Sequence, residues 1–218
     1  MNWRQYGRNG VLLEFAEKPG EWAFHKARAM TEALARKPPP QLVEFVSGYT
    51  TILLEFDLSR GETIEKLAAE TIQFLSGTVR GKSTLGPLGT IPVRYDGADL
   101  ERVAAHNNIT VEQVIRFHTA PVYKVYLLGF PPAFPFRGEL HHKLHSPRLE
   151  SPRPKVAAGS VAIGGKQAGI YTVDSPGGWN IIGHTQVKLF DLSRALPGSE
   201  EDAFHLKPGD QVRFEQVT

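Results

Sequence analysis

The stretch from Gly129 to Thr185 constrains this chain most. It reads GFPPAFPFRGEL, then the basic, proline-punctuated HHKLHSPRLESPRPK, then VAAGSVAIGGKQAGIY, and it ends in SPGGWNIIGHT. Glycine and proline are as dense as in a linker, but a linker lacks β-branched and aromatic residues. This stretch carries Val161, Ile163, Ile170, Tyr171, Trp179, Ile181 and Ile182. Glycine serves where the backbone needs positive φ or where another backbone or a ligand comes close. Short apolar runs set between such glycines predict the short strands of a compact β-domain, with loops shaped for a small ligand or a partner. Ser175-Pro176-Gly177-Gly178 ahead of Trp179 reads as a tight turn presenting an aromatic ring.

Composition narrows the function classes. At 218 residues the chain holds one large domain or two small ones. Its net charge is +2 and no clustered basic run occurs, so no nucleic-acid partner is expected. The absence of cysteine excludes disulfides, a thiol nucleophile and thiolate zinc sites. The opening MNWRQYGRNG has no apolar signal core, and no apolar run approaches the ~18 residues of a spanning helix. The expectation is a soluble, cytoplasmic protein without a membrane partner.

Residues 11–15 read as a strand, and Trp22 to Arg36 as an amphipathic helix ended by Pro38-Pro39-Pro40. Leu42 to Val46 and Thr51 to Phe56 read as adjacent antiparallel strands, and Thr63 to Leu75 as a second helix. Thr63 with Lys66 three residues on is not a capping box. The resulting β-α-β-β-α order predicts an α+β N-terminal domain over 1–78, followed by a linker over 79–90 and a mainly-β domain over 91–218. The second domain opens with a strand at 91–95 and a short helix from Leu100 to His106. Thr110 and Gln113 then form a capping box that starts a helix to about Phe117. Strands follow at 122–128, 159–164, 168–173, 179–183, 186–190 and 211–217, a spacing that argues for a barrel or sandwich.

Several clusters invite chemistry. Arg80-Gly81-Lys82-Ser83 has the look of a phosphate loop, but the preceding glycine is misplaced and the segment follows a helix instead of opening one. His141, His142 and His145 are near enough in sequence to share a metal, but the flanking Gly138, Pro147 and Pro152 favour a solvated loop. No metal site is expected. Arg148 and Arg153, each beside a proline, suit bidentate capture of a carboxylate or phosphate. Tyr171 and Trp179 are candidates for an apolar pocket wall, as are Phe130, Phe134 and Phe136, with core packing the alternative. Ser160 and Gln167 can bond a ligand amide or simply satisfy strand backbone. His118 closes the helix begun at Thr110, so it either caps that helix or acts as a general acid or base. Asp191 and Asp210 read as turn residues.

The same residues carry a family resemblance. Ala158-Gly159-Ser160-Val161-Ala162-Ile163, Gln167-Ala168-Gly169-Ile170-Tyr171, Ser175-Pro176-Gly177-Gly178-Trp179 and Ile182-Gly183-His184-Thr185 resemble the signature of the KipI / 5-oxoprolinase B-subunit family, also called allophanate hydrolase subunit 1. That family is related to part of the carboxyltransferase region of urea carboxylases. Ile91 to Asp96, Glu112 to Ile115 with His118, Gly129-Phe130, Phe190-Asp191 and Pro208 to Phe214 follow in the family's order. The chain departs from the family at Ala133, across Phe136 to Leu140, at Ala168, and at His184, where the family usually has arginine.

The resemblance implies a ferredoxin-like sandwich for the N-terminal domain and a cyclophilin-like β-barrel for the second. It implies one component of an ATP-dependent 5-oxoprolinase, which opens the cyclic amide of 5-oxo-L-proline to L-glutamate. The work is shared with a KipA-like C subunit, and with an A subunit, with ATP as co-substrate of the assembled complex. On that reading the catalytic candidates are His118, Arg153 and Gln167. The substrate- or partner-binding candidates are Phe134, Arg148, Ser160, Gly169, Tyr171, Ser175, Pro176, Gly177, Gly178 and Trp179. Two other readings stand beside it: an inhibitor that binds a sensor histidine kinase through the barrel, and a component of urea or allophanate carboxyl transfer. The chain has no biotin-carrier segment of its own.

Overall fold

The computed structural model describes residues 1–78, 85–129, 134–137, 140–197 and 200–218. The chain divides into two compact units, Met1–Thr84 and Leu85–Thr218.

In the first unit β1 (Asn2–Tyr6) and β2 (Gly10–Glu14) form a hairpin, followed by α1 (Glu21–Arg36), β3 (Leu42–Ser47), β4 (Thr51–Phe56) and α2 (Ile64–Thr78). The four strands lie in the order β1-β2-β4-β3 and every pair is antiparallel. Alternation decides which face is covered. Val11 and Leu13 of β2 and Ile52, Leu54 and Phe56 of β4 are buried. α1 adds Ala23, Ala27, Met30 and Leu34 to the same core, and α2 adds Ile64, Leu67, Ala68 and Leu75. The Thr63 hydroxyl accepts from Lys66 N at 3.4 Å, so α2 starts on a one-sided cap.

The unit begins with two strands where the sequence predicts one. All five residues of β1 are exposed, so the apolar alternation that marks a half-buried strand is missing. Pairing with β2 alone makes it a strand.

The second unit runs β5 (Leu88–Val93), α3 (Leu100–His106), α4 (Val111–Thr119), β6 (Tyr123–Gly129), β7 (Phe134–Arg137), β8 (Arg153–Val156), β9 (Ser160–Gly164), β10 (Gln167–Ile170), β11 (Ser175–Gly177), β12 (Asn180–His184) and β13 (Gln211–Gln216). Seven strands form one sheet in the order β12-β9-β10-β7-β6-β13-β5, parallel only between β13 and β5. The two ends of that order meet. Arg94, just past β5, and His184 of β12 exchange both backbone hydrogen bonds at 2.9 and 2.8 Å. The chain then follows β12, with Gly97 N donating to Ile182 O and Asp99 N to Ile181 O. Ile91, Val93, Val125, Val161, Ile163, Ile182, Val212 and Phe214 face one core, and α3 and α4 bring Val103 and Val114 to it.

The capping box at Thr110 is formed as expected, with both reciprocal bonds to Gln113. The helix continues to Thr119 and Ala120 is its C-cap, so His118 lies within the last turn and does not occupy the cap position. Three further expectations are corrected. Ser175–Gly177 is not a free turn but a strand, β11, laddered antiparallel to β8. Residues 186–190 are not a strand: only Phe190 bridges, to Phe204, because no neighbouring strand among the described residues runs alongside to extend a ladder. β10 ends at Ile170, before the expected 173.

Around the histidine run a single 3₁₀ turn spans His142–Leu144, and His141 stacks on Phe117 with centroids 4.4 Å apart. Among the described residues no group of three His, Asp or Glu side chains could hold a metal ion, and no helix is long and apolar enough to cross a membrane. Arg80 to Ser83, Phe130, Ala133 and Gly138-Glu139 lie outside the described residues.

Candidate ligand-binding site

The site begins with the two faces of β9. Val161 and Ile163, paired with Ile170 and Ala168, point into the main core. Ala162 points the other way, opposite Ile181, into a separate cluster with Val156, Tyr171 and Trp179. Cross-strand partners share a face. Gly169, opposite Ala162, and Gln167, opposite Gly164, therefore lie on this second face, as does Ser160 by alternation. The β8–β11 ribbon contributes Val156 to the same cluster.

Two glycines make room for the aromatics. A Cβ at Gly164 would lie 2.8–3.0 Å from three atoms of the Trp179 ring, and one at Gly177 would overlap the Tyr171 hydroxyl. The Tyr171 amide donates to Ser160 O at 2.9 Å. Burial pushes the Tyr171 phenol above its usual range; a hydrogen bond from the Trp179 backbone and the charges of Arg148 and Arg153 pull the other way. Tyr171 therefore stays an O–H group near neutral pH, and it lies within the field of both arginines.

The arginines are held by different means. The Arg148 guanidinium sits over Trp179, 5.3 Å from the ring centroid. Its chain neighbours are pinned: Leu149 N donates to Gly178 O at 2.7 Å, and Pro147 O accepts from Asn180 Nδ2 at 3.0 Å. Arg153 donates through Nη2 to Asp99 Oδ1 at 2.8 Å. Its Nη1 is buried without a hydrogen-bond partner among the described residues, and so is Ser175 Oγ. Lys155, by contrast, is engaged on the surface with Asp174 at 2.8 Å.

Two cations, a phenol, an unpartnered hydroxyl and an indole on one face suit a small planar anion. Arginine nitrogens match the oxygens of a carboxylate or phosphate. The structure thus gathers Arg148, Arg153, Ser160, Gln167, Gly169, Tyr171 and the Ser175–Trp179 segment around one face. Phe134 contributes the first residue of β7, paired with Gly129.

His118 stands elsewhere. It is fully buried, its Nδ1 lies 2.7 Å from the Tyr95 hydroxyl, and its ring packs 4.2 Å from that of Phe214. Three residues that the site uses are missing from the candidates read in the sequence: Asp99, Arg102 and Asn180. Asp99 and Asn180 are buried polar residues, and Arg102 donates to Asn180 Oδ1. Asp99 directly before an apolar helix reads locally as an N-cap, so nothing in the sequence marks it as a partner for Arg153.

Fold and site together define a subdomain of the carboxyltransferase type: the family described as carboxyltransferase domain, subdomain C and D, matches residues 1–198. The chain is 39% identical to the 5-oxoprolinase B subunit of Escherichia coli O157:H7 over 95% of its own length and 92% of that protein's. It is 31% identical to the 5-oxoprolinase B subunit of Bacillus subtilis (strain 168), over 98% of this chain and 92% of that one. Among solved structures TTHA0988 superposes with a TM-score of 0.83 at 41% identity, covering 96% of this chain but 40% of that one. The chain belongs to the carboxyltransferase C and D family and, within it, to the group of 5-oxoprolinase B subunits.

Proposed function

We propose that this chain is the B subunit of an ATP-dependent 5-oxoprolinase, which hydrolyses 5-oxo-L-proline to L-glutamate in the cytoplasm. The observation that carries the reading is Arg148 seated over Trp179, with Arg153 also acting on Tyr171 and its buried Nη1 without a hydrogen-bond partner among the described residues. Opening a lactam places negative charge on the carbonyl oxygen, and fixed cationic donors at that point lower the barrier. Arg153 and Arg148 fit that task, and a phosphoryl group passed from ATP to the lactam oxygen, with ADP leaving, would meet the same donors. Gln167, Tyr171 and the Ser175–Trp179 segment would shape the pocket.

The other partners are a C subunit, which shares the site, and an A subunit. In TTHA0988 the matched segment is 40% of a longer chain, which supports a second chain supplying the remainder here. In this reading the N-terminal unit, 1–78, is a ferredoxin-like sandwich and the second is a cyclophilin-like barrel whose seam is the Arg94–His184 bridge; β5 starts at Leu88, so the expected linker over 79–90 is too long at its end, because residues 88–90 already pair with β13.

The family description also favours a second reading, a component of urea- or allophanate-linked carboxyl transfer. One assay separates them. The chain is co-expressed with its A and C partners, each omitted in turn, and ATP-dependent glutamate release from 5-oxoproline is measured. Release that requires this chain supports the proposal. An assembled complex that leaves 5-oxoproline untouched refutes it, and the same preparation is then tested for carboxyl transfer and for inhibition of a sensor histidine kinase.

A further inference from the structure

Asp99 occupies the N-cap position of α3, where an aspartate ordinarily accepts from the helix's own first-turn amides. It makes no such bond. Both carboxylate oxygens turn away from the helix. Oδ1 takes the Arg153 Nη2 hydrogen at 2.8 Å, and Oδ2 takes the Ile181 amide at 2.7 Å. The Asp99 amide donates in turn to Ile181 O at 2.9 Å. Asp99 is only 4% exposed, so its carboxylate has little water to turn to.

Three residues on, Arg102 binds the side chain of Asn180, which holds the carbonyl of Pro147 beside Arg148. The first turn of α3 therefore braces both arginines, one directly and one through Asn180. A side chain that forgoes local capping for a distant partner is a departure from local preference of the sort found at functional sites.

We infer that Asp99 is a positioning residue: it holds the Arg153 guanidinium in one orientation, so that Nη1 is presented to the anionic oxygen of the substrate. The inference rests on the proposed 5-oxoprolinase reading. In an Asp99–Arg153 pair the charges offset each other. What Asp99 adds is therefore direction, and Arg148 supplies the net charge. The planar fork of Arg153 spans from Asp99 to the ligand in a way that a lysine cannot.

The test uses the assembled complex and its ATP-dependent glutamate release. Asp99→Asn keeps an acceptor for the Ile181 amide but loses the bond to Arg153. Asp99→Ser supplies an ordinary N-cap to α3 and also loses that bond, so it keeps the test readable if the Asn variant folds poorly. Both variants should lower kcat about 10- to 100-fold, the range for a hydrogen bond to a charged group, with KM changed far less. Added methylguanidinium should restore part of the activity of Arg153→Ala, and none of it in Arg153→Ala combined with Asp99→Asn.

Three results overturn the inference. Wild-type kcat in both Asp99 variants, with Arg153→Ala impaired, removes the positioning role and leaves the site reading standing. Equal rescue with and without Asp99 has the same consequence. An Arg153→Ala complex as active as wild type brings down the site reading as well.

Discussion

The Arg148 guanidinium lies 5.3 Å from the centre of the Trp179 ring, and the backbone on either side of Arg148 is tied to β12 and to the Gly178 carbonyl just past β11. Among the described residues the cation is therefore held by an aromatic face and not by a carboxylate, which leaves its charge available. Arg148→Lys keeps the charge but loses the flat stacking surface. It should lower kcat/KM in the assembled complex about tenfold, roughly the 1.5 kcal/mol of one lost hydrogen bond to a charged group, and lower the thermal midpoint slightly as the contact with Trp179 weakens.

Gly164 and Gly177 are set by what presses on them. An alanine at 164 would push into the buried Trp179 ring, and one at 177 into the Tyr171 hydroxyl. Each substitution should cost about 1–3 kcal/mol, the usual range for overpacking, read as a lower urea midpoint at unchanged m-value. Gly165, in the same turn, has nothing within 4 Å of an added Cβ but has φ +60, so its alanine variant reports backbone strain without the ring collision.

His118 is packed inside the second unit. Its ring is enclosed by Tyr95, Tyr123 and Phe214, and the Tyr123 hydroxyl donates to its carbonyl at 3.0 Å. His118→Ala should destabilise the second unit by about 2–4 kcal/mol through the cavity it leaves. The fraction that stays folded should retain its kcat. A loss of kcat beyond the loss of folded protein, measured by circular dichroism on the same sample, would instead make His118 catalytic.

Tyr95 gives a pH signature. Burial raises its phenol above the ordinary value of 10.0. The folded state thus holds the proton more tightly than the unfolded state, and the resulting stability is present below that value and is lost as pH rises past it. Tyr95→Phe should remove this alkaline loss, so the two thermal midpoints should converge as pH climbs above about 10. Asp96 behaves oppositely at the acid end. Hydrogen bonds from His184 and Arg94 hold its carboxyl below 3.8, so its contribution is present above that value and fades as pH falls through the lowered one. The deficit of Asp96→Asn should be visible near neutrality and absent in strong acid.

The parts of this fold that bury an apolar stripe or carry their own cap were legible in the sequence. The period of α2 places Ile64, Leu67, Ala68 and Leu75 on one face, and Thr110 with Gln113 announces α4 four residues after α3 ends. The polar and very short strands were not. β1 is exposed throughout, and β8 and β11 are four and three residues long and exist only through each other. The site divides the same way. Tyr171, Trp179 and the two arginines stand out as residue types beside glycine and proline. Asp99 is 54 residues from Arg153, and Asn180 is 33 from Pro147, so their roles appear only when the sheet brings them together.

The most direct test of the central claim is ATP-dependent glutamate release from 5-oxo-L-proline by the purified complex, wild type against Arg153→Ala, at matched stoichiometry. The variant complex should assemble normally, and its kcat should fall at least about 100-fold, the scale for losing a donor to a developing oxyanion. An Arg153→Ala complex that turns over 5-oxoproline at the wild-type rate would contradict the claim.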